Sequence, residues 1–240
     1  MEVLYEDNHI IIVNKTCREI VQGDKTGDTT LGEQIAAYIK EKYAKPGNVF
    51  VGVAHRLDRP TSGVVVFAKT SKALSRLCDM FAKHDVKKLY WAVVKNAPKE
   101  EEGRLVNYLK RNEKQNKSFV VGKGVKDAKE AILSYRTIAK SDNYTLLEVD
   151  LSTGRHHQIR CQLANIGSPI KGDLKYGFPR SNPDGGISLH ARSIEFIHPV
   201  SKKEIKVVAP VPDDNLWKEL ERLAMNAEVN DGDTSHNDVG

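Results

Sequence analysis

Nine consecutive residues, His55-Arg56-Leu57-Asp58-Arg59-Pro60-Thr61-Ser62-Gly63, place one carboxylate, two guanidiniums, an imidazole and two hydroxyls together between strand-like flanks. A carboxylate in such company can act as a base or stabilise a developing cation. Pro60 and Gly63 mark the segment as a loop, and the residue before a proline is biased away from helix. Asp58 is therefore expected on irregular backbone between two ordered elements. An aspartate in a turn more often only bonds its own backbone, so this segment by itself does not establish catalysis. A second cluster, Ser152-Thr153-Gly154-Arg155-His156-His157-Gln158-Ile159-Arg160, follows a β-rich run and opens a helix that Gly167 and Pro169 end. On such a helix His156 and Arg160 share a face at four residues' separation, whereas Arg155 and Arg160 do not. The paired histidines lack a third ligand at a recognisable spacing, so no metal is expected.

The flanking pattern predicts the elements that carry these clusters. Tyr5 to Asn14 reads as a strand, with a turn at Asp7-Asn8 and the β-branched run Ile10-Ile11-Ile12-Val13 after it. Leu31, Ile35 and Ile39 recur at the spacing of one helix face up to Lys42, with Thr29 or Thr30 placed to cap. Val64 to Ala68 is a second strand. Ser71 is placed to cap a helix whose Leu74, Leu77, Cys78 and Phe81 are expected in the core. Leu89 to Val94 and Tyr144 to Leu151 predict further strands. Asp213 or Asp214 can cap a last helix carrying Leu216, Trp217, Leu220 and Leu223. No internal repeat or low-complexity linker divides the chain.

The 240 residues, 40% of them apolar, suffice for a substantial core. The longest apolar stretches fall far short of the roughly 20 residues that a membrane helix needs. The acidic N-terminus lacks the basic and apolar regions of a secretory signal, so a cytoplasmic protein is expected. Cys17, Cys78 and Cys161 fit neither a disulfide framework nor a zinc pair and read as reduced thiols. The net charge is +5, and the tail Met225 to Gly240 carries four acids and no Lys or Arg, so the body stands at +9. Residues 104–129 hold six Lys, two Arg, one Glu and one Asp, a net of +6. With few large apolar side chains, that segment predicts a solvated hairpin or loop. A surplus of this sign attracts polyanions, RNA among them, but it also serves plain solubility.

The Asp58 loop resembles the HRLD-x-x-TSG signature of the RluA family of RNA pseudouridine synthases at every fixed position from His55 to Gly63. Further segments agree in type and order. Lys88-Leu89-Tyr90 resembles the family's K-x-Y, Gly154 to Arg160 its GR-x-HQIR, Gly172-Asp173 with Tyr176-Gly177 its GD-x-x-YG, and Leu189-His190-Ala191 through His198-Pro199 its LHA…HP. Several ordered motifs are far less frequent by chance than one short pattern. The sequence departs at Lys15-Thr16-Cys17-Arg18-Glu19, where the family often has KP-x-G, and at Ile194, where leucine is usual. Many relatives carry an S4 RNA-binding domain first. Here the first strand begins almost at Met1, so a stand-alone catalytic domain is expected.

The resemblance implies an α+β fold with a long, mixed and mostly antiparallel sheet flanked by helices. It places a catalytic domain over residues 1–224 with a basic insertion at about 104–129. Residues 225–240 are expected to form an acidic, disordered tail. The implied reaction is site-specific isomerisation of uridine to pseudouridine in structured RNA, ribosomal or transfer, with Asp58 as the essential carboxylate. Whether that carboxylate attacks the sugar, adds to the ring or removes the C2′ proton stays open. Tyr90 is implied to stack on the uracil and Arg160 to pair with Asp58, with Arg155 second in that role. Arg56, Arg59, Lys88 and Arg155 are expected to contact the RNA, His55 to contact it by wedging the stack or merely to order the loop, and Ile194 to pack against the base or the site floor. The redox-neutral reaction implies neither cofactor nor metal, and no membrane or obligate protein partner is expected. Two other readings stay open at this point. One is an RNA-binding or RNA-chaperone protein on the same scaffold. The other is a glycosidase or nucleosidase in which Asp150 or Asp173 supplies the acid.

Overall fold

The computed structural model describes residues 1–23 and 27–234, with side chains as far as residue 227. In chain order the elements are β1 (Glu2–Glu6), β2 (Ile10–Lys15), α1 (Leu31–Lys42), β3 (Gly52–Val53), β4 (Ser62–Ala68), α2 (Ser71–Ala82) and β5 (Lys87–Val94). There follow β6 (Glu102–Asn112), β7 (Lys117–Val121), β8 (Lys129–Lys140), β9 (Thr145–Leu151), α3 (Gln158–Asn165), β10 (Leu189–Ile197), β11 (Glu204–Val208) and α4 (Asn215–Thr234). Together they make the α+β architecture that the sequence implied. The chain divides into one unit of residues 1–89 with 182–210 and another of residues 90–181 with 211–240.

In the first unit the strand order is β1-β2-β4-β10, with β11 on β10 and β3 on β4. The segment from Tyr5 to Asn14 is a hairpin rather than one strand, because Asp7 closes the turn by accepting from the His9 and Ile10 amides at 2.7 and 2.9 Å. The Ile10–Val13 run is wholly buried, as a strand covered on both faces must be. β4 runs antiparallel to β2 but parallel to β10, with Ser62 opposite His190 and Gly63 opposite Ala191. This mixed register explains Gly63. Its φ is +114°, and a Cβ there would lie 2.3 Å from the Ala191 carbonyl oxygen. Ser62 Oγ bonds Nδ1 of the buried His190 at 2.8 Å, so the first and last motifs of the sequence are stitched together inside one unit.

Helix caps match the pattern with one shift. Thr30 and Glu33 form a reciprocal capping box on α1. On α2 the cap is Thr70, not Ser71, since Thr70 Oγ1 accepts from the Ala73 amide. Its buried stripe is Ala73 and Leu77, and Cys78, expected in the core, is exposed.

Glu6 pins α1 to β1. Its carboxylate, 7% exposed, takes Lys69 at 2.6 Å, Lys42 at 2.7 Å, the Tyr43 hydroxyl at 2.9 Å and the Tyr38 hydroxyl at 3.1 Å. Burial alone would raise the carboxyl pKa, but the two lysines and two tyrosines outweigh it and hold the group at about 2. Because the folded pKa is depressed, the resulting stabilisation is present above the ordinary carboxylate range and is lost as pH falls toward 2. A Glu6→Gln variant is expected to be about 2 kcal/mol less stable than the parent at pH 6. In chemical denaturation run across pH, that gap closes by about pH 2.

The second unit has the order β5-β9-β8-β6-β7. Trp91, Val93, Ala139 and Leu146 pack against Trp217 and Leu220 of α4, which Asp214 caps by accepting from the Leu216 and Trp217 amides. The basic segment 104–129 is a hairpin of β6 and β7 rather than a loop. Leu109 and Ala131 on its inner face, the latter from β8, meet Cys161 and Tyr176 in a small core. The tail corrects another expectation: α4 runs through Thr234, the proline-free stretch after Leu223 continuing its last turns, and residues 235–240 lie outside the described residues. Among the described residues no helix is long and apolar enough to cross a membrane.

Candidate functional site

In the first unit the strand Ile10–Lys15 ends in a lysine that is 1% exposed. Its ammonium donates to the backbone carbonyls of Thr61 at 2.7 Å, Arg59 at 2.8 Å, Thr16 at 2.9 Å and Asp58 at 3.3 Å. Three of these four carbonyls belong to the loop that carries Asp58. The Thr61 amide also closes on the Asp58 carbonyl at 3.0 Å, and the Ile187 amide bonds the Pro60 carbonyl. A backbone tied at four successive residues fixes the direction of the Asp58 side chain, which is partly exposed. Burial draws the Lys15 ammonium down to about 8, against the opposing charges of Glu19, Cys17 and Asp58. Lys15 was not among the expected site residues. Its signs in the sequence are its place two residues after a run of four β-branched residues and at the lysine of the family's KP-x-G. Lys15→Met leaves buried carbonyls unpaired and is expected to cost about 1–3 kcal/mol, read as a lowered unfolding midpoint.

Around this loop, His55 accepts the Val66 amide at Nε2 (3.0 Å) and stacks on Phe81 at 4.4 Å between centroids. Burial, with Lys88 nearby, pushes the His55 pKa down to about 3, so it is a neutral ring that orders the loop. Arg56 is exposed and donates to Gln22, and Arg59 pairs with Asp28 at 2.8 Å at the surface. Lys88 is partly exposed on β5, two residues before Tyr90. Ile194 lies on β10. It is 2% exposed and lies in the apolar cluster of Ile10, Ile12, Val64, Val66 and Phe196, because its position on β10 points it into the core.

In the second unit Tyr90 is 8% exposed on β5. Arg160, on α3, sends Nε and Nη2 to the two carboxylate oxygens of Asp173 at 2.6 and 2.9 Å, and its guanidinium carbon lies 5.1 Å from the centre of the Tyr176 ring. This bidentate pair is almost wholly enclosed, with side-chain exposures of 5% and 1%. Both oxygens of Asp173, one of the two carboxylates considered for a glycosidase-like reaction, thus accept from Arg160. Asp150, the other candidate acid, is exposed on β9 opposite Ser134. The GD-x-x-YG segment thus supplies the partner and ring that orient Arg160, a relation the sequence did not reveal.

The start of α3 also departs from expectation. His157 takes a left-handed conformation (φ 53°) before the helix begins at Gln158, so His156 and Arg160 do not share a helix face. Instead His156 bonds Ser118 and Asn116 of the β6–β7 hairpin and stacks on His157 at 3.8 Å. Burial holds His157 neutral and holds the Tyr176 hydroxyl, bonded to its Nδ1, protonated. Gln158 accepts from the Arg155 amide and the Thr153 hydroxyl, locking the turn, while Arg155 Nε donates to the Glu130 carbonyl. Among the described residues no group of three or more His, Cys, Asp or Glu is placed to hold a metal ion.

A family model described as RNA pseudouridylate synthase matches residues 9–165. An uncharacterized RNA pseudouridine synthase of Synechocystis is 34% identical over 215 residues, 88% of this chain and 66% of that protein. Ribosomal large subunit pseudouridine synthase D of Xylella fastidiosa is 35% identical, over 89% of this chain and 67% of that protein. tRNA pseudouridine synthase C of Vibrio parahaemolyticus is 30% identical, over 92% and 93% respectively. The chain therefore spans about two thirds of the length of the first two relatives. In fold it is similar to human RNA pseudouridylate synthase domain containing 4, with a TM-score of 0.75, 22% identity and 92% of both chains covered.

Proposed function

The chain belongs to the RNA pseudouridylate synthase family, and on that premise we propose that it isomerises selected uridines of structured ribosomal or transfer RNA in the cytoplasm, with Asp58 as the essential carboxylate. The observation that carries the assignment of Asp58 is the clamp on its loop, in which a fully buried lysine holds the carbonyls of Asp58, Arg59 and Thr61. A loop whose aspartate merely satisfied its own turn would have no use for a buried cation.

The reaction breaks N1–C1′, turns the uracil and forms C5–C1′; C5 loses its proton and N1, which carried none in the uridine, gains one. Charge develops on sugar and base, and a carboxylate at C1′ can stabilise or capture the sugar, or take up a ribose proton. Tyr90 offers a flat face for the base. Arg160, oriented by Asp173 and Tyr176, is the cation assigned to the reacting centre. Arg56, Arg59, Lys88 and Arg155 are assigned to phosphates, which position an RNA without reading its sequence. For Arg59 this means exchanging its surface pairing with Asp28. A uracil stacked within a helix cannot bring its C1′ against a carboxylate held on a tied loop, so the nucleotide leaves its stack, most cheaply in an RNA loop.

The test is mapping of pseudouridine in total cellular RNA with and without the gene, complemented by the parent or by Asp58→Asn. Sites that disappear and return only with the parent establish both reaction and substrate. An unchanged map, with RNA binding retained, favours the non-catalytic RNA-binding reading.

A further inference from the structure

One face of the β6–β7–β8 sheet has a composition that core packing does not explain. Side chains alternate across a strand. Leu109 and Ala131 point inward to Cys161 and Tyr176, with Val120 beside them, so their immediate neighbours along each strand point outward. The register sets Val106 opposite Ile132, Tyr108 opposite both Glu130 and Val121, and Lys110 opposite Phe119. Val106 is 48% and Phe119 40% exposed. This is the face opposite the one on which Cys161 of α3 packs. An outward row of aliphatic and aromatic side chains on an edge hairpin invites aggregation unless something covers it.

Charge identifies what covers it. Lys110 flanks Phe119 across the strand pair, and Lys117 Nζ, at the edge between the two faces, lies 5.4 Å from the Phe119 ring centre and 5.0 Å from that of Tyr176. Arg104 continues the row along β6. The one acid opposite the aromatics, Glu130, is engaged by the Tyr108 hydroxyl at 3.2 Å. Aromatic rings interleaved with cations on an open sheet are what a single-stranded nucleic acid needs, the rings stacking bases and the cations meeting phosphates. An apolar protein partner would gain nothing from the flanking lysines.

We propose that the outer face of the β6–β7 hairpin, centred on Tyr108 and Phe119, is a platform for single-stranded RNA, separate from the residues assigned to catalysis. It rests on the reading that the substrate is RNA, and it would hold unpaired nucleotides beside the modified uridine.

The test uses the full chain as Asp58→Asn and a fluorescein-labelled twelve-residue oligouridylate, with binding followed by anisotropy at several salt concentrations. Phe119→Thr and Tyr108→Thr, both compatible with a strand, are each expected to weaken binding by about 10-fold, the scale of one lost base stack. Lys110→Ala is expected to reduce the slope of log affinity against log salt by about 1. Failure of the Asp58→Asn chain to bind the oligonucleotide, or unchanged binding in both threonine variants, overturns the platform. So does a change confined to oligomeric state in sedimentation, which would make the occupant a second copy. Pseudouridine formation by the otherwise unmutated chain is scored separately. Aromatic-dependent binding without product leaves the platform standing and removes the catalytic reading; product without aromatic-dependent binding does the reverse.

Discussion

An Asp58→Asn variant is expected to lose pseudouridine formation by at least about 10²–10⁴-fold, the range for removing one positioned acid–base group, while keeping its fold and its affinity for RNA. The substitution changes an oxygen to an amide nitrogen and preserves volume. The loop's hold on this residue is through its backbone, since Lys15 and the Thr61 amide both bond the Asp58 carbonyl, and those bonds survive. What is lost is the negative charge and the basic oxygen. Single-turnover assays on a mapped target RNA, beside thermal unfolding and RNA binding, separate the outcomes. Loss of product with an unchanged unfolding midpoint fits the proposed role, whereas turnover at the parent rate removes Asp58 from the chemistry.

Arg160→Leu is expected to have the largest effect on stability. It strands the Asp173 carboxylate, 1% exposed, without its bidentate partner, and breaking a buried ion pair from one side costs about 3–5 kcal/mol. For a chain of this size that is a fall of roughly 6–20 °C in Tm. Asp173→Leu alone is also expected to destabilise, since it removes the carboxylate that holds the guanidinium at 2.6 and 2.9 Å. The double variant Arg160→Leu/Asp173→Leu is expected to recover much of the loss, because an apolar pair of similar volume often replaces a buried ion pair at little cost. Activity distinguishes the two roles of Arg160. If the arginine acts on the RNA, the double variant is stable and inactive; if it is only a structural partner, activity returns with stability.

Both substitutions test residues that were legible as a linear pattern. Asp58, Tyr90 and Arg160 stand in short motifs whose order along the chain identifies the family, and the helices α1 and α4 follow from apolar spacing and caps. Strand identity was less legible. β8, β10 and β11 were not predicted, and the basic segment read as a loop or hairpin because its inward residues are few; its strands are stabilised by pairing with distant β8 rather than by a continuous apolar run.

The sequence by itself determined the family, through that resemblance the α+β class, the candidacy of Asp58 and the positive charge of the 104–129 segment, because residue type and the order and spacing of motifs are all one-dimensional quantities. Only the tertiary structure decided which groups serve which. Lys15 holds a loop 43 residues further on, Asp173 belongs to Arg160, Ile194 belongs to the core, and Gly63 is required by a parallel strand 128 residues away in sequence. Such pairings depend on register and on which face of a strand is buried, and a shift of one residue would reverse them.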